Sequence, residues 1–144
     1  MKENPGRLIS ILYRKSQIHW GQVLKEYDLS SAEYPVLIQL FKQDGRTQED
    51  LTAEIVIDKS AIARVVQSLV EKGIVEKKKD PIDKRCNRIY LTEQGRQCKE
   101  PIEQGVKEWN SILTKDMQME EMQEIMRLLR QMADNVQDQS ERQE

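Results

Sequence analysis

Residues 58–95, DKSAIARVVQSLVEKGIVEKKKDPIDKRCNRIYLTEQG, contain the pattern that decides the fold of this 144-residue chain. Asp58 is suited to cap a helix, apolar residues then recur at helical spacing as far as Leu69 and Val70, and Gly73 supplies a stop. Two short segments with β-branched and aromatic residues follow, on either side of the turn-rich sequence DPIDKRC. This order predicts a helix followed by a two-stranded hairpin.

A shorter helix is predicted directly before Asp58. Thr47 is placed to cap the sequence TQEDLTAEIV, with Asp50 three residues further on, and Leu51 and Ile55 face inward at a four-residue spacing. Two helices joined by a three- or four-residue turn form a helix-turn-helix unit. With the hairpin added as a wing, the centre of the chain is predicted to be a winged helix-turn-helix.

Two more helices are predicted on the amino-terminal side. Residues 7–25 place apolar side chains close to helical spacing, which indicates a long amphipathic helix. A second helix is predicted from about 31 to 43, because Ser30 and Glu33 have the spacing of a capping box ahead of an apolar run.

Two helices are also predicted on the carboxyl-terminal side. Thr92 is placed to cap a fifth helix, along which a bend or fraying is expected at Gly95, Pro101 and Gly105. A last helix is predicted over about 118–137, where apolar residues alternate three- and four-residue steps and form a seam for packing on another helix. The polar tail, residues 137–144, is expected to fray.

The expected fold is therefore mainly α with a small β-hairpin wing. A winged helix-turn-helix lobe is assigned to residues 31–91, and helical dimerisation regions to residues 1–30 and 92–144. Apolar residues make up 38% of the chain and charged residues 33%, so the core per residue looks thin. A second copy of the chain is expected to cover part of the apolar surface.

Positive charge is concentrated in the segment that decides the fold. Between Lys59 and Arg88 there are nine Lys and Arg residues against four Asp and Glu residues, although the whole chain has a net charge of −2. A local basic surface on an acidic protein favours binding to duplex DNA.

Several classes of protein are disfavoured by the sequence. The amino terminus has no apolar segment typical of a signal peptide, and no run approaches the ~18 apolar residues of a membrane span, so a cytoplasmic protein without membrane contact is expected. The chain has two Cys and one His, which do not suggest a zinc site, and no cofactor is expected. No catalytic constellation is found, so we do not expect an enzyme.

The residues predicted to contact DNA lie on the helix after Asp58, on the wing and at the start of the preceding helix. Arg64 and Gln67 are long enough to reach base edges, whereas Lys59 and Ser60 are placed to contact phosphate. Lys84 or Arg85 would enter the minor groove, with Asp83 pairing with Arg85 to shape the wing. The full predicted set is Thr47, Gln48, Lys59, Ser60, Ala61, Arg64, Gln67, Lys84 and Arg85, with Asp83 as the wing-stabilising residue.

The chain resembles the MarR family of winged-helix regulators. The resemblance is carried by LSSAEYPVL, by DKSAIARVVQSLVEKGIVEKKKDPIDKR and by IYLTEQG, and it extends over nearly the whole chain. It implies a homodimeric transcriptional regulator, usually a repressor, on a pseudo-palindromic double-stranded operator with half-sites ~10 bp apart. It also implies control by a small, often aromatic, molecule bound between the dimerisation helices and the winged lobe.

Several alternatives remain open at this point. The candidate effector-binding residues are Tyr13, Arg14, His19, Trp20 and Tyr34, and ordinary core or interface packing explains them as well. Lys77, Lys78 and Lys79 are either a solvated strand edge or additional phosphate contacts. Cys86 lies next to Arg85, which would favour a reactive thiolate and a redox-responsive regulator. A winged-helix module that binds a protein partner through its last helix is the other alternative.

Overall fold

The computed structural model describes residues 2–142, except for the side chains of residues 140 and 141. The chain divides into two compact units, the first ending at Trp109 and the second beginning at Asn110. The helices are α1 (Pro5–Leu24), α2 (Tyr34–Lys42), α3 (Gln48–Ile55), α4 (Lys59–Glu71), α5 (Glu93–Gln97), α6 (Lys99–Leu113) and α7 (Met119–Glu141). The strands are β1 (Arg46–Thr47), β2 (Val75–Lys79) and β3 (Asn87–Leu91).

The first helix begins and ends close to the predicted positions. Asn4 caps α1 by accepting a hydrogen bond from the Arg7 backbone N–H at 3.0 Å, and Pro5 occupies the first turn, where its missing N–H costs nothing. Toward its end, α1 buries Trp20 and Leu24 in the core. A short 3₁₀ turn then leads into the loop before α2.

The predicted start of α2 at residue 31 is wrong, since the helix begins three residues later, at Tyr34. The Glu33 carboxylate accepts the Ser30 N–H at 2.9 Å, as in a capping box. The Glu33 N–H, however, donates to the Ser30 carbonyl oxygen at 3.1 Å and forms a turn. The carboxylate is also bound by Ser68 of α4 and by Lys72, the residue that follows α4, and Glu33 precedes the first residue of α2.

The helix-turn-helix forms as the local signals predict. The Thr47 side chain accepts the Asp50 N–H at 3.0 Å and the Asp50 carboxylate accepts the Thr47 N–H at 3.3 Å, which is a complete capping box. Asp58 caps α4 by accepting the Ala61 N–H at 2.8 Å. In the turn between the helices, Val56 adopts a left-handed conformation with φ of 59°.

The predicted hairpin is present and belongs to a three-stranded antiparallel sheet with the order β1-β3-β2. In the hairpin, Val75 pairs with Leu91 and Lys79 pairs with Asn87. The additional strand, β1, pairs Thr47 with Arg88. The sequence did not predict β1 because two residues are too few to show an alternating pattern.

The predicted fifth helix is two helices, with the break at Cys98 and not at a glycine or proline. Thr92 caps α5 as predicted, by accepting the Gly95 N–H at 3.1 Å. A Cβ atom on Gly95 would lie 2.2 Å from the Ile74 carbonyl oxygen, so this glycine permits close packing of α5 on the residue directly before β2. Pro101 lies in the first turn of α6, where it is tolerated.

The core of the first unit is shared between the winged lobe and the helices around it. Trp20 and Leu24 of α1 and Ile102 of α6 join one apolar cluster with residues of the lobe. The lobe's largest fully buried side chains are Leu37, Leu40, Leu51, Ile62, Leu69, Ile74 and Ile89.

In the second unit, α7 extends to Glu141, so the expectation that the tail frays from residue 137 is wrong for residues 137–141. Residues 143 and 144 lie outside the described part of the chain. The predicted apolar seam of α7 is exposed, with Met119 at 66%, Met126 at 57% and Leu129 at 46% of their full exposure. Across residues 2–142, no helix combines the length and apolar character needed to cross a membrane.

Candidate nucleic-acid interface

A concave surface lies where the amino-terminal ends of α3 and α4 meet the base of the wing. This surface, here called the wing cleft, has a volume of about 270 Å³. It is lined by Thr47, Gln48, Glu49, Thr52, Lys59, Arg85, Cys86 and Asn87. Four residues from the predicted DNA-contacting set therefore border one cleft, and they come from β1, α3, α4 and the wing loop. The amino termini of α3 and α4 and the cations Lys59 and Arg85 favour the binding of an anion in this cleft, whereas the negative charge of Glu49 disfavours it.

The outer face of α4 carries the predicted base-reading residues. Arg64 and Gln67 are exposed, while Ile62, Val66 and Leu69 are buried on the opposite face. The Gln67 amide donates to the Glu71 carboxylate at 3.2 Å on the helix surface, an exchangeable contact that leaves the side chain at the surface. The face is therefore polar and accessible, as a recognition helix requires.

Ser60 and Ala61 are less available than predicted. The Ser60 hydroxyl donates to the Asp58 carboxylate at 2.6 Å. That hydrogen bond and the one from the Ala61 N–H lower the pKa of the Asp58 carboxyl. Ala61 is half-buried. Ser60 would have to rotate before its hydroxyl could donate to a phosphate, so Lys59 is the better placed anchor.

The wing contains the predicted pair between Asp83 and Arg85. The Asp83 carboxylate accepts hydrogen bonds from both the Nε and the backbone N–H of Arg85, each at 3.1 Å. These two bonds lower the pKa of the Asp83 carboxyl. Because the Arg85 side chain is 92% exposed, the pair orients the guanidinium more than it stabilises the fold. Lys84 is also exposed in the same loop.

A second carboxylate, Asp80, anchors the wing and was not recognised from the sequence. It is 6% exposed and accepts the N–H groups of Ile82 at 2.7 Å and Asp83 at 3.2 Å. It also accepts Arg88 Nε at 2.7 Å, and Arg88 in turn donates to the Gly45 carbonyl oxygen at 2.8 Å. The two backbone bonds, followed by Arg88, lower the pKa of the Asp80 carboxyl. An Asp followed by Pro in a turn was the available signal, since Asp side chains often bind N–H groups two residues on.

A third acidic residue, Glu33, stabilises the carboxyl-terminal end of α4. It is 3% exposed, and its carboxylate accepts Lys72 Nζ at 2.8 Å and the Ser68 hydroxyl at 3.1 Å. Burial raises the pKa of the Glu33 carboxyl, but the bonds from Lys72 and Ser30 outweigh burial, so the pKa lies below its ordinary value. Sequence reasoning placed Glu33 in a helix cap and could not detect a partner 39 residues away.

The predicted activation of Cys86 by Arg85 is contradicted by the structure. Partial burial and the negative charge of Asp83 raise the pKa of the Cys86 thiol, which donates to the Asp83 carboxylate at 3.6 Å. Arg85 is itself paired with the same carboxylate. Cys98 is buried, and burial raises the pKa of its thiol as well. Both cysteines therefore favour the unreactive thiol form.

Three of the candidate effector-binding residues, His19, Trp20 and Tyr34, lie in one cluster of rings, in which the His19 ring is edge-on to the Trp20 ring at a centroid distance of 5.2 Å. Trp20 stacks on Tyr34 with ring centroids 3.9 Å apart, and His19 stacks on Trp109 at 5.3 Å. The His19 ring nitrogen Nε2 is hydrogen-bonded to the Gly105 carbonyl oxygen at 2.9 Å. These rings pack against one another, which fits the alternative of ordinary core packing.

Tyr13 and Arg14 lie on the exposed surface of α1. Tyr13 is 65% exposed, and Arg14 donates to Ser10 at 2.6 Å on the surface of α1. Arg14 and His19 are five residues apart on one helix, which places them about 140° apart around its axis. They are thus poorly placed to hold one carboxylate together.

A different crevice lies between α2 and α6 and has a volume of about 480 Å³. Its lining is mostly apolar and includes two cations and one carboxylate: Ile38, Phe41, Lys42, Glu103, Val106 and Lys107. Sequence reasoning missed it because its residues belong to two helices that are far apart in the chain. Within residues 2–142, no cluster of His, Cys, Asp and Glu suited to a metal ion is found.

Lys77, Lys78 and Lys79 are exposed on β2, which is an edge of the sheet. Lys78 lies 3.6 Å from the Glu76 carboxylate and 5.5 Å from the centre of the Tyr90 ring. Their position fits both the solvated edge and the phosphate contacts considered above.

Comparison with known proteins places this geometry in a family. The family model for the transcriptional regulators SarA and Rot matches residues 19–102. A MarR transcriptional regulator from Methanosarcina mazei Go1 is 34% identical, with a TM-score of 0.81 over 92% of this chain and 96% of that chain. A cysteine mutant of MarR from E. coli, complexed with operator DNA, is 29% identical, with a TM-score of 0.78 over 88% and 91% of the two chains. PcaV from Streptomyces coelicolor, in complex with its natural ligand, is 26% identical, with a TM-score of 0.83 over 94% and 99%. The chain therefore belongs to the MarR/SarA family of winged helix-turn-helix transcriptional regulators, which are DNA-binding proteins and not enzymes.

Proposed function

We propose that this protein is a homodimeric repressor whose two winged lobes bind the half-sites of one pseudo-palindromic operator. The observation that carries the proposal is the wing cleft, which groups Thr47, Gln48, Lys59 and Arg85 beside the exposed face of α4. In this arrangement α4 enters the major groove and the wing follows the adjacent minor groove. Lys59 and Arg85 neutralise phosphates, and Arg64 and Gln67 read base edges.

The DNA-binding part is tested by selecting bound duplexes from a random pool and measuring affinity against salt. Arg64→Ala is expected to relax base preference at one position of each half-site, at about 1–3 kcal/mol per lost bidentate contact. Lys59→Ala is expected to weaken binding to all duplexes alike, and to reduce the salt dependence of the affinity by the amount that corresponds to about one phosphate contact. Lys99→Ala is the matched control, because Lys99 is exposed and does not line the wing cleft. Unchanged base preference in Arg64→Ala would refute the assignment of α4.

The homodimer is supported by apolar side chains that each unit leaves exposed. In the first unit these lie on α1, where Leu8, Ile9, Leu12 and Ile18 are between 43% and 59% exposed. In the second unit they are Met119, Met126 and Leu129 of α7. Exposed apolar surface on this scale marks an interface. We propose that a second copy of the chain covers it through the predicted dimerisation regions, residues 1–30 and 92–144.

Light scattering on the eluting protein tests the dimer directly. We expect twice the 16.9 kDa chain mass for the wild type, and a shift toward monomer for Leu129→Glu. A stable wild-type monomer that still exposes α7 would support the protein-interaction module instead.

For the effector, we propose a small anionic molecule with an apolar body, bound in the crevice between α2 and α6. A volume of about 480 Å³ suits a small organic ligand, and Phe41, Lys42 and Lys107 supply an aromatic face and two cations. The helix α2 is part of the winged lobe. A ligand that fits the crevice only when the lobe is placed differently from its DNA-bound position would therefore shift the population away from the DNA-bound form.

Calorimetric titration with a panel of aromatic carboxylates tests this site. Val106→Trp, which fills the crevice, is expected to abolish binding and leave operator affinity unchanged. Lys25→Ala serves as the surface control. If ligand binding survived in Val106→Trp and was lost in Arg14→Ala, the residues first considered on α1 would be the site.

A further inference from the structure

The tip of the wing carries an apolar side chain that the proposed contacts do not use. Ile82 is 97% exposed, the highest value among the large hydrophobic residues in the described part of the chain. It lies between the wing anchor Asp80 and the charged residues Lys84 and Arg85. A single exposed apolar residue is ordinary on a protein surface. A function for Ile82 therefore has to be argued from its position at the tip of the wing.

The backbone holds Ile82 in place. Asp80 accepts the Ile82 N–H at 2.7 Å, and Pro81 restricts the intervening backbone. The loop is closed by the Asp80 N–H donating to the Cys86 carbonyl oxygen at 2.9 Å and the Cys86 N–H donating to the Asp83 carbonyl oxygen at 3.0 Å. The side chain is thus presented by an ordered turn, and little backbone conformational entropy remains to be lost when it is buried.

The chemistry around Ile82 fits the minor groove of duplex DNA. Lys84 and Arg85 follow within three residues and match the negative potential of the groove. The walls of the groove are sugar carbons, which an aliphatic side chain can contact, and isoleucine is among the residues that proteins insert there. The floor differs with sequence, because guanine alone presents an amino donor. An aliphatic group against that donor would leave it without a hydrogen-bond partner.

We propose that Ile82 enters the minor groove as an apolar wedge and makes the protein prefer A·T over G·C base pairs beneath the wing. The inference rests on the proposed binding of duplex DNA and adds a specificity-determining residue to it. Arg85 supplies charge at the same place, and Ile82 supplies the selection against the guanine amino group.

The test compares Ile82→Ala and Ile82→Asn with wild type on three versions of the selected operator. The base pairs beneath the wing are located by hydroxyl-radical footprinting and are then made A·T, G·C or inosine·C. Inosine lacks the amino group of guanine, so it presents the minor groove of A·T with the major groove of G·C. We expect wild type to bind the A·T and inosine·C operators alike and the G·C operator about tenfold more weakly, a difference of about 1.4 kcal/mol.

Ile82→Ala is expected to bind the A·T operator about tenfold more weakly and to lose most of the discrimination against G·C. Its salt dependence should equal that of wild type, whereas Arg85→Ala should lower the slope by about one. Far-ultraviolet circular dichroism and thermal melting should be unchanged in both Ile82 variants, because the side chain is exposed.

Two results would overturn the inference. The first is an Ile82→Ala affinity within twofold of wild type with an unchanged G·C penalty. The second is a wild-type affinity that is reduced equally for the inosine·C and the G·C operators, which would place the readout in the major groove. In both cases wild type still binds its operator, so the proposed function stands. Failure of wild type to bind any selected duplex would refute the proposed function and this inference together.

Discussion

Replacing Glu33 with Gln should destabilise the protein, because Lys72 would lose the carboxylate it pairs with at 2.8 Å. Breaking a fully buried ion pair typically costs about 3–5 kcal/mol. Here the Lys72 side chain is 27% exposed and retains a bond to the Asp28 carbonyl oxygen at 2.6 Å. We therefore expect a loss of about 2 kcal/mol, or about 7 °C in Tm for a chain of this length.

Urea denaturation at one fixed protein concentration measures this change, since the unfolding of a dimer depends on concentration. A double-mutant cycle with Lys72→Met isolates the pair, and we expect a coupling of about 1–2 kcal/mol. Lys99→Ala, an exposed lysine on α6, is the matched control and should change stability by less than about 0.5 kcal/mol.

The pH dependence of stability gives an independent check. The folded pKa of Glu33 lies below its ordinary value, so its contribution is complete above the unfolded pKa of ~4.3 and is lost as the pH falls through the folded pKa. Glu33→Gln should lack this part of the acid destabilisation below about pH 4.5. A coupling near zero at pH 7, or identical acid sensitivity in the variant, would refute the claim that the pair supports α4.

Three further predictions follow from the backbone and the wing. Val56→Gly should raise the free energy of unfolding by up to ~1 kcal/mol in urea, because a β-branched residue with φ of 59° is strained; a lower urea midpoint would contradict this. Gly95→Ala should lower the free energy of unfolding by about 2–3 kcal/mol, since the new Cβ would lie 2.2 Å from a backbone oxygen. The control Gly21→Ala, whose new Cβ would have no atom within 4 Å, should be neutral or stabilising. Cys86 should react with iodoacetamide more slowly than free cysteine at pH 8, and Asp83→Asn should accelerate the reaction; an equal rate in the two proteins would show that Asp83 does not hold the thiol protonated.

The elements that the sequence predicted well depend on local interactions. The caps at Thr47, Asp58 and Thr92 each join groups three residues apart, so short sequence windows contain both partners. The helix-turn-helix, the hairpin and the Asp83–Arg85 contact follow from the same kind of short-range pattern. The family resemblance rests on these segments.

The predictions that failed depend on how side chains pack in three dimensions, whether the partners are distant in the chain or only a few residues apart. Glu33, which the sequence placed in a cap at the start of α2, is bound by Ser68 and Lys72, 35 and 39 residues further along the chain, and the helix begins at Tyr34. Partial burial and the Asp83 carboxylate raise the pKa of the Cys86 thiol, while the neighbouring Arg85 is paired with the same carboxylate.

The sequence by itself determined the helix order, the wing and the polar face of α4, because hydrophobic periodicity and capping act over a few residues. Only the tertiary structure decided that Lys59 and Arg85 share one cleft and that α2 and α6 enclose a crevice. It also decided that Ile82 is 97% exposed at the tip of the wing, although the Asp80–Pro81 pair was a local signal for the bond that holds its backbone. The cleft and the crevice depend on how separate helices pack, and the presentation of Ile82 depends on how the loop closes on β2 and β3. Burial and distance between residues remote in sequence are properties of packing that no local pattern encodes.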